Sequence, residues 1–195
     1  MKKLLALLSL LGTFSLSPFA FADVAPEPDV FTDVQDGDEA YWEIRWMKEE
    51  GLVSGYEDGS YKPNNTINRA EFSKIVAIEM SAGTITGTDG GEIFTDIDYS
   101  SWYNPYVQYL YGAGVISGYP DNTFRPGNDV NYAEACKMIS LAQGLEVSTS
   151  TGEWYEPYVK WVEDMGGKPE SIESYDQAIT RAEMAIMIYG VANNL

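Results

Sequence analysis

The chain has 195 residues, 45% of them hydrophobic and 22% charged, a composition of one or two folded domains that excludes a disordered acidic tail. Its formal net charge of −18, from 12 basic and 30 acidic residues, opposes nucleic acid and anionic lipid as partners. The absence of histidine removes Ser-His and Cys-His machinery and histidine-ligated metals from consideration.

Lys2-Lys3 precede an apolar run from Leu4 to Leu16, then Pro18 and Ala20-Phe21-Ala22, the three regions of a secretory signal peptide. The run is too short for a membrane span. Cleavage is expected after Ala22, so residues 1–22 are removed and the mature protein, more acidic by the loss of two lysines, works outside the cytoplasm. Residues 23–28, rich in proline and acids, read as a flexible lead.

The remainder divides into three units, 29–92, 93–147 and 148–195. A constant shift carries Gly55-Tyr56 onto Gly118-Tyr119, Asp58 onto Asp121, Pro63 onto Pro126 and Ala70-Glu71 onto Ala133-Glu134. A third, eroded copy keeps Thr180-Arg-Ala-Glu183 where the others have Asn68-Arg-Ala-Glu71 and Asn131-Tyr-Ala-Glu134.

Phe31-Thr-Asp-Val34 and Phe94-Thr-Asp-Ile97 open the first two copies, with Phe and Val or Ile reaching the core and Thr and Asp offering caps to the helix that follows. Apolar residues at Ile44, Trp46 and Met47, at Val107, Tyr109 and Leu110, and at Val159, Trp161 and Val162 then predict a helix with one buried face in each copy. Gly51, Gly114 and Gly166 close these helices at a position that needs positive φ. The Asp-Gly and Asp-Asn turns that follow predict a loop with at most two or three residues of strand. Asn68, Asn131 and Thr180 each precede a glutamate by three residues, the capping-box pattern that starts a second helix. One such helix pair cannot bury its apolar face alone, so the three are expected to share a core. The third copy lacks the Phe-x-Asp opening and the Gly-Tyr-x-Asp turn, so its loop from Gly166 to Asp176 has its own shape.

Arg69 and Arg181 occupy the first position of the second helix, where the positive helix end makes a cation unfavourable by about 0.3–1 kcal/mol. Two explanations stand open: an anionic ligand held by the guanidinium and the helix amides, or an ion pair with one of the many acids. Cys136, among Ala135, Met138 and Ile139, fits a buried apolar role better than an intermolecular disulfide. The acids at Asp33, Asp36 and Asp38 and at Glu57-Asp58 lack the ligand spacing of an EF-hand, so capping and turn roles are favoured and no metal is expected.

Phe-x-Asp-Val, the aromatic first helix, Gly-Leu-Val-x-Gly-Tyr-x-Asp-Gly-x-Tyr-x-Pro and Ile-Asn-Arg-Ala-Glu together resemble the S-layer homology (SLH) domain. The resemblance covers about residues 29–195, strongly in two copies and weakly in the third. It implies a mainly α fold, three helix-loop-helix repeats in a pseudo-threefold spindle around a shared helical core. It implies non-covalent anchoring to the cell wall through an acidic, often pyruvylated, secondary polysaccharide bound in grooves between repeats, with no catalysis and no cofactor.

Carried over by residue, the motif arginine falls on Arg69 and Arg181. The groove-shaping turn falls on Gly55, Tyr56, Asp58 and Gly59 and on Gly118, Tyr119, Asp121 and Asn122. Trp42 and Trp102 lie near the family's first-helix aromatic positions; their rings suit sugar faces, though their spacing favours core packing. Tyr132 replaces the arginine of the second copy and should disable one groove, while the missing turn of the third copy puts a second in question, leaving one or two competent sites. A protein partner in the envelope is the alternative to the polymer. A carboxylate-pair glycosidase is disfavoured because Glu71, Glu134 and Glu183 serve as capping partners.

Overall fold

A computed structural model describes residues 30–85, 91–147 and 152–195. The expected signal peptide, the whole of the lead and parts of the two connectors lie outside the described residues. Among the described residues six helices form in pairs: α1 (Tyr41–Glu49) with α2 (Arg69–Met80), α3 (Asn104–Gly112) with α4 (Tyr132–Ala142), and α5 (Glu156–Asp164) with α6 (Arg181–Ala192). Among the described residues the extended pieces make isolated bridges, such as Thr66 with Thr180 and Asn131 with Ala178, and no strand. None of these helices is long and apolar enough to cross a membrane.

Local chemistry explains the helix ends. Asn131 with Glu134 and Thr180 with Glu183 form complete capping boxes. In α2 only half of the box exists: Asn68 accepts from the Glu71 amide at 2.9 Å, but the Glu71 carboxylate is turned elsewhere. Helices α3 and α5 start with proline in the first turn, where its missing N–H costs nothing. Gly51, Gly114 and Gly166 take φ of 72°, 75° and 72° just past the first helices, as expected of left-handed closing positions.

The Phe-x-Asp aspartates do not cap α1 or α3, whose N-cap residues, Ala40 and Tyr103, make no side-chain cap. Their backbone-seeking carboxylates reach across to the turn instead. Asp33 accepts the amides of Tyr61 and Lys62 at 2.7 and 2.8 Å, and Asp96 accepts those of Phe124 and Arg125, both at 2.7 Å.

Three buried residues, one before each second helix, tie the pairs together. The amide of Val130 donates to the carbonyl of Ile67, that of Ile67 to Ile179, and that of Ile179 to Val130, at 3.0, 3.2 and 2.9 Å. The ring is closed, so every interior donor in it is satisfied by a neighbouring copy rather than by water. The helices follow the same cyclic order: α2 packs on α3, α4 on α5 and α6 back on α1, with α2 and α4 also in contact. Between them lies one apolar cluster that includes Ile44, Met47, Phe72, Phe124, Tyr132, Met184 and Met187, all fully or almost fully buried. At roughly 1.5–3 kcal/mol per buried large apolar side chain, this shared interior is what a single helix pair could not supply.

Candidate functional site

The cyclic packing places the first residue of each second helix against the turn of the next copy, not its own. The amide of Arg69 donates to Asn128, that of Tyr132 to Gln177, and that of Arg181 to Asn65. Arg69 therefore faces Gly118 and Tyr119, while Arg181 faces Gly55 and Tyr56.

Two equivalent grooves result, each drawing on all three copies. The first, of about 210 Å³, brings together Arg69 from the first copy, Gly118, Tyr119, Glu134 and Lys137 from the second, and Trp154 from the third. The second, of about 150 Å³, combines Arg181 from the third copy, Gly55, Tyr56, Glu71 and Lys74 from the first, and Trp102 from the second. In each, two cations stand against one carboxylate, so the grooves are locally positive on a strongly acidic chain.

Both arginines are nearly buried, 6% exposed. The Nε of Arg69 donates to the Phe124 carbonyl at 2.9 Å and its Nη1 lies 3.3 Å from Glu134; the Nε of Arg181 donates to the Tyr61 carbonyl at 2.8 Å and its Nη1 lies 4.0 Å from Glu71. A hydrogen bond from a charged group is worth about 1.5–3 kcal/mol, more than the roughly 0.3–1 kcal/mol cost of a cation at a helix N-terminus. Hydrogen bonds to backbone carbonyls, joined by an ion pair at 3.3 Å for Arg69 and a longer one at 4.0 Å for Arg181, therefore offset the cost of these positions, and the same guanidinium groups line the grooves. Each stacks over rings of the turn: Arg69 over Tyr119 and Phe124 at 5.0 and 4.9 Å, Arg181 over Tyr56 and Tyr61 at 5.1 and 4.6 Å.

Tyr119 and Tyr56 are each approached by a second cation, Arg125 at 4.0 Å and Lys62 at 3.9 Å from the ring centroid. Tyr119 also donates its hydroxyl to Glu134 at 2.9 Å; burial pushes that hydroxyl's pKa up, and the Arg69 charge opposes the shift. Asp58, Gly59, Asp121 and Asn122 shape the turns without lining a groove. Asp58 is held below the usual carboxylate range chiefly by the Ser60 hydroxyl, and Asp121 by the Thr123 hydroxyl and then Arg125. Gly59 and Asn122 supply positive φ of 80° and 61°.

Core packing is overturned for the tryptophans: Trp42 and Trp102 are 60% and 56% exposed. They stand at the edge of the first helices, where the buried stripe is carried by Tyr41, Ile44 and Met47 and by Val107 and Leu110. Trp102 lies in the second groove, with the Lys74 ammonium 6.0 Å from its ring, and Trp154 lies in the first, with Lys137 at 5.5 Å. Trp154, Lys74, Lys137, Glu71 and Glu134 were absent from the site expected from sequence. A signal existed for Trp154: Tyr41-Trp42, Trp102-Tyr103 and Trp154-Tyr155 pair the same two residue types just ahead of or within the first turn of each first helix.

The departure expected to disable one groove and the one that put a second in question fall on the same position. Tyr132 is fully buried and its amide meets Gln177 of the irregular third-copy loop. Glu183, 6% exposed, accepts from Ser171 at 2.6 Å and Gln177 at 3.3 Å, and Ile186 stands where the grooves have Lys74 and Lys137. A Cβ on Gly190 would overlap the Gly166 carbonyl, so this loop and α6 touch through backbone. Among the described residues no group of three acids or cysteines could hold a metal ion.

A cyclic helical-repeat module with locally positive, tryptophan-edged clefts is the class that fold and site define. Residues 30–73 and 93–136 match the S-layer homology domain, and the chain belongs to that family. It is 36% identical over 118 residues to a cellulosome-anchoring protein of Acetivibrio thermocellus, covering 58% of this chain and 26% of that protein. It is 30% identical over 177 residues to the middle cell wall protein of Brevibacillus brevis, covering 89% of this chain and 16% of that protein. A surface layer protein of Brevibacillus choshinensis is 31% identical over 147 residues, covering 72% of this chain and 12% of that protein. The chain thus spans about a quarter or less of the length of these relatives.

Proposed function

We propose that this chain is a non-catalytic module of the cell envelope that attaches to the cell wall by binding an acidic polysaccharide in the grooves at Arg69 and Arg181. The observation that carries the reading is the convergence of an arginine, a lysine and an exposed tryptophan, from three different copies, in each groove. A guanidinium and an ammonium suit a carboxylate such as that of a pyruvyl group, and an indole face suits the apolar side of a sugar ring. The relatives, named for wall, surface-layer and anchoring roles, support the cell wall as the location. The helix pair in 148–195, outside the family matches, acts as a degenerate third repeat that completes the grooves of the other two.

Co-sedimentation with purified cell walls, intact and stripped of their secondary polymer, tests this. The mature protein is expected to pellet with intact walls only, and Arg69→Ala/Arg181→Ala to remain in the supernatant. Pelleting with stripped walls, or retention by the double variant, overturns the reading.

A further inference from the structure

The aspartates of the two Phe-x-Asp motifs sit outside the grooves, yet each holds the peptide that anchors a groove arginine. Asp33 uses one oxygen for the Tyr61 amide and the other for the Lys62 amide, and the Tyr61 carbonyl accepts from Arg181 Nε. Asp96 grips Phe124 and Arg125 in the same way, and the Phe124 carbonyl accepts from Arg69 Nε. The residues so held, Lys62 and Arg125, have φ of 60° and 59°, a left-handed conformation that a non-glycine residue keeps only when its surroundings fix it. That conformation accompanies the placement of their charges over Tyr56 and Tyr119.

Resting on the function proposed above, we infer that Asp33 and Asp96 are positioning residues for the binding of the acidic polymer, each serving one groove: Asp33 that of Arg181, Asp96 that of Arg69. Each carboxylate sets the groove arginine through a carbonyl, and it sets the residue whose cation lies over the groove tyrosine through that residue's own amide. The sign of the effect separates this from plain electrostatics. On a chain of net charge −18, neutralising an acid raises affinity for an anion if only the overall field matters. Loss of positioning lowers it.

The test compares Asp33→Asn and Asp96→Asn with Asp36→Asn, the same charge change nearby in the same loop. Asparagine keeps one acceptor and both aspartates are exposed, so the variants fold. Binding to purified walls is expected to weaken about tenfold for Asp33→Asn, the loss of one charge-assisted hydrogen bond, and not for Asp36→Asn. In an Arg181→Ala background Asp33→Asn adds nothing further, while in an Arg69→Ala background its effect persists; Asp96→Asn shows the reverse pattern. A second readout needs no polymer: NMR exchange of the arginine Nε protons. Asp33→Asn is expected to speed exchange at Arg181 and leave Arg69 unchanged. Unchanged or equally faster exchange at both arginines overturns the positioning role. Altered exchange at Arg181 alone, with no wall binding by the unsubstituted protein, instead retains the positioning and overturns the polymer reading.

Discussion

Arg181 and Tyr61, 120 positions apart, hold each other twice: Arg181 Nε donates to the Tyr61 carbonyl at 2.8 Å and the Tyr61 hydroxyl donates to the Arg181 carbonyl at 2.9 Å. The pair links the third copy to the first. Burial drives the Tyr61 hydroxyl pKa far above its ordinary value, so it acts as a donor at any physiological pH. The second groove exists because this contact closes the ring, so its walls come from both ends of the described chain.

Grooves built from three copies make specific couplings. Trp154→Ala removes a half-exposed ring and should cost little stability, yet weaken wall binding by about 0.5–1.5 kcal/mol through loss of the indole face offered to a sugar. In a double-mutant cycle it is expected to couple with Arg69→Ala, its neighbour in the first groove, and to add independently to Arg181→Ala. Wall-binding isotherms of the four combinations measure this.

Tyr132 closes the third position rather than serving it. Arg69→Ala is expected to weaken wall binding more than Tyr132→Phe, which keeps the buried ring and should leave binding unchanged. Tyr132→Ala would confound the comparison, since truncating a buried aromatic costs about 3–5 kcal/mol. Equal losses in Arg69→Ala and Tyr132→Phe count against the two-groove reading.

Glycines at the turns differ in what surrounds them. Gly118, at φ 70°, leaves no room for a Cβ against the Phe94 ring and the Thr123 carbonyl, whereas Gly114, at φ 75°, faces open space. Gly114→Ala should cost about 1–2 kcal/mol from backbone strain alone, and Gly118→Ala clearly more, together with loss of the first groove. Chemical denaturation of both variants provides the comparison.

Burial pushes the Cys136 thiol up to about 12. At pH 8 its thiolate population is negligible, so a thiol reagent should label it only after unfolding. Rapid labelling of the native protein would contradict its packing against Tyr132.

Glu79 is half-buried where it accepts from Gln143 at 2.8 Å, and burial raises its pKa. A carboxyl raised in the folded state favours folding at acid pH, and that contribution is lost as pH rises through the folded value. Glu79→Gln keeps an acceptor for Gln143 without the charge. It should therefore raise Tm at pH 7 and lose this advantage below the ordinary glutamate pKa of about 4.3; melting curves at the two pH values decide it.

Much of the architecture was legible in the order of residues alone. Helix periodicity, closing glycines, the second-helix caps and the repeat itself are rules that act over a few positions, and they located the six helices of the described residues. The partners of those helices were not legible, because backbone hydrogen bonds such as Val130 to Ile67 carry no side-chain signature. For the same reason the sequence named the arginines and the turns without saying which arginine meets which turn; cyclic packing sets Arg69 against Gly118 and Tyr119. Trp42 and Trp102 looked like core because hydrophobicity does not say which way a ring points at the edge of an amphipathic helix. Residue chemistry by itself determined the repeat, its helices and the family they resemble. Only the tertiary structure decided that three copies share each groove and that both departures fall on one place, since closing the ring is a long-range contact that no local pattern encodes.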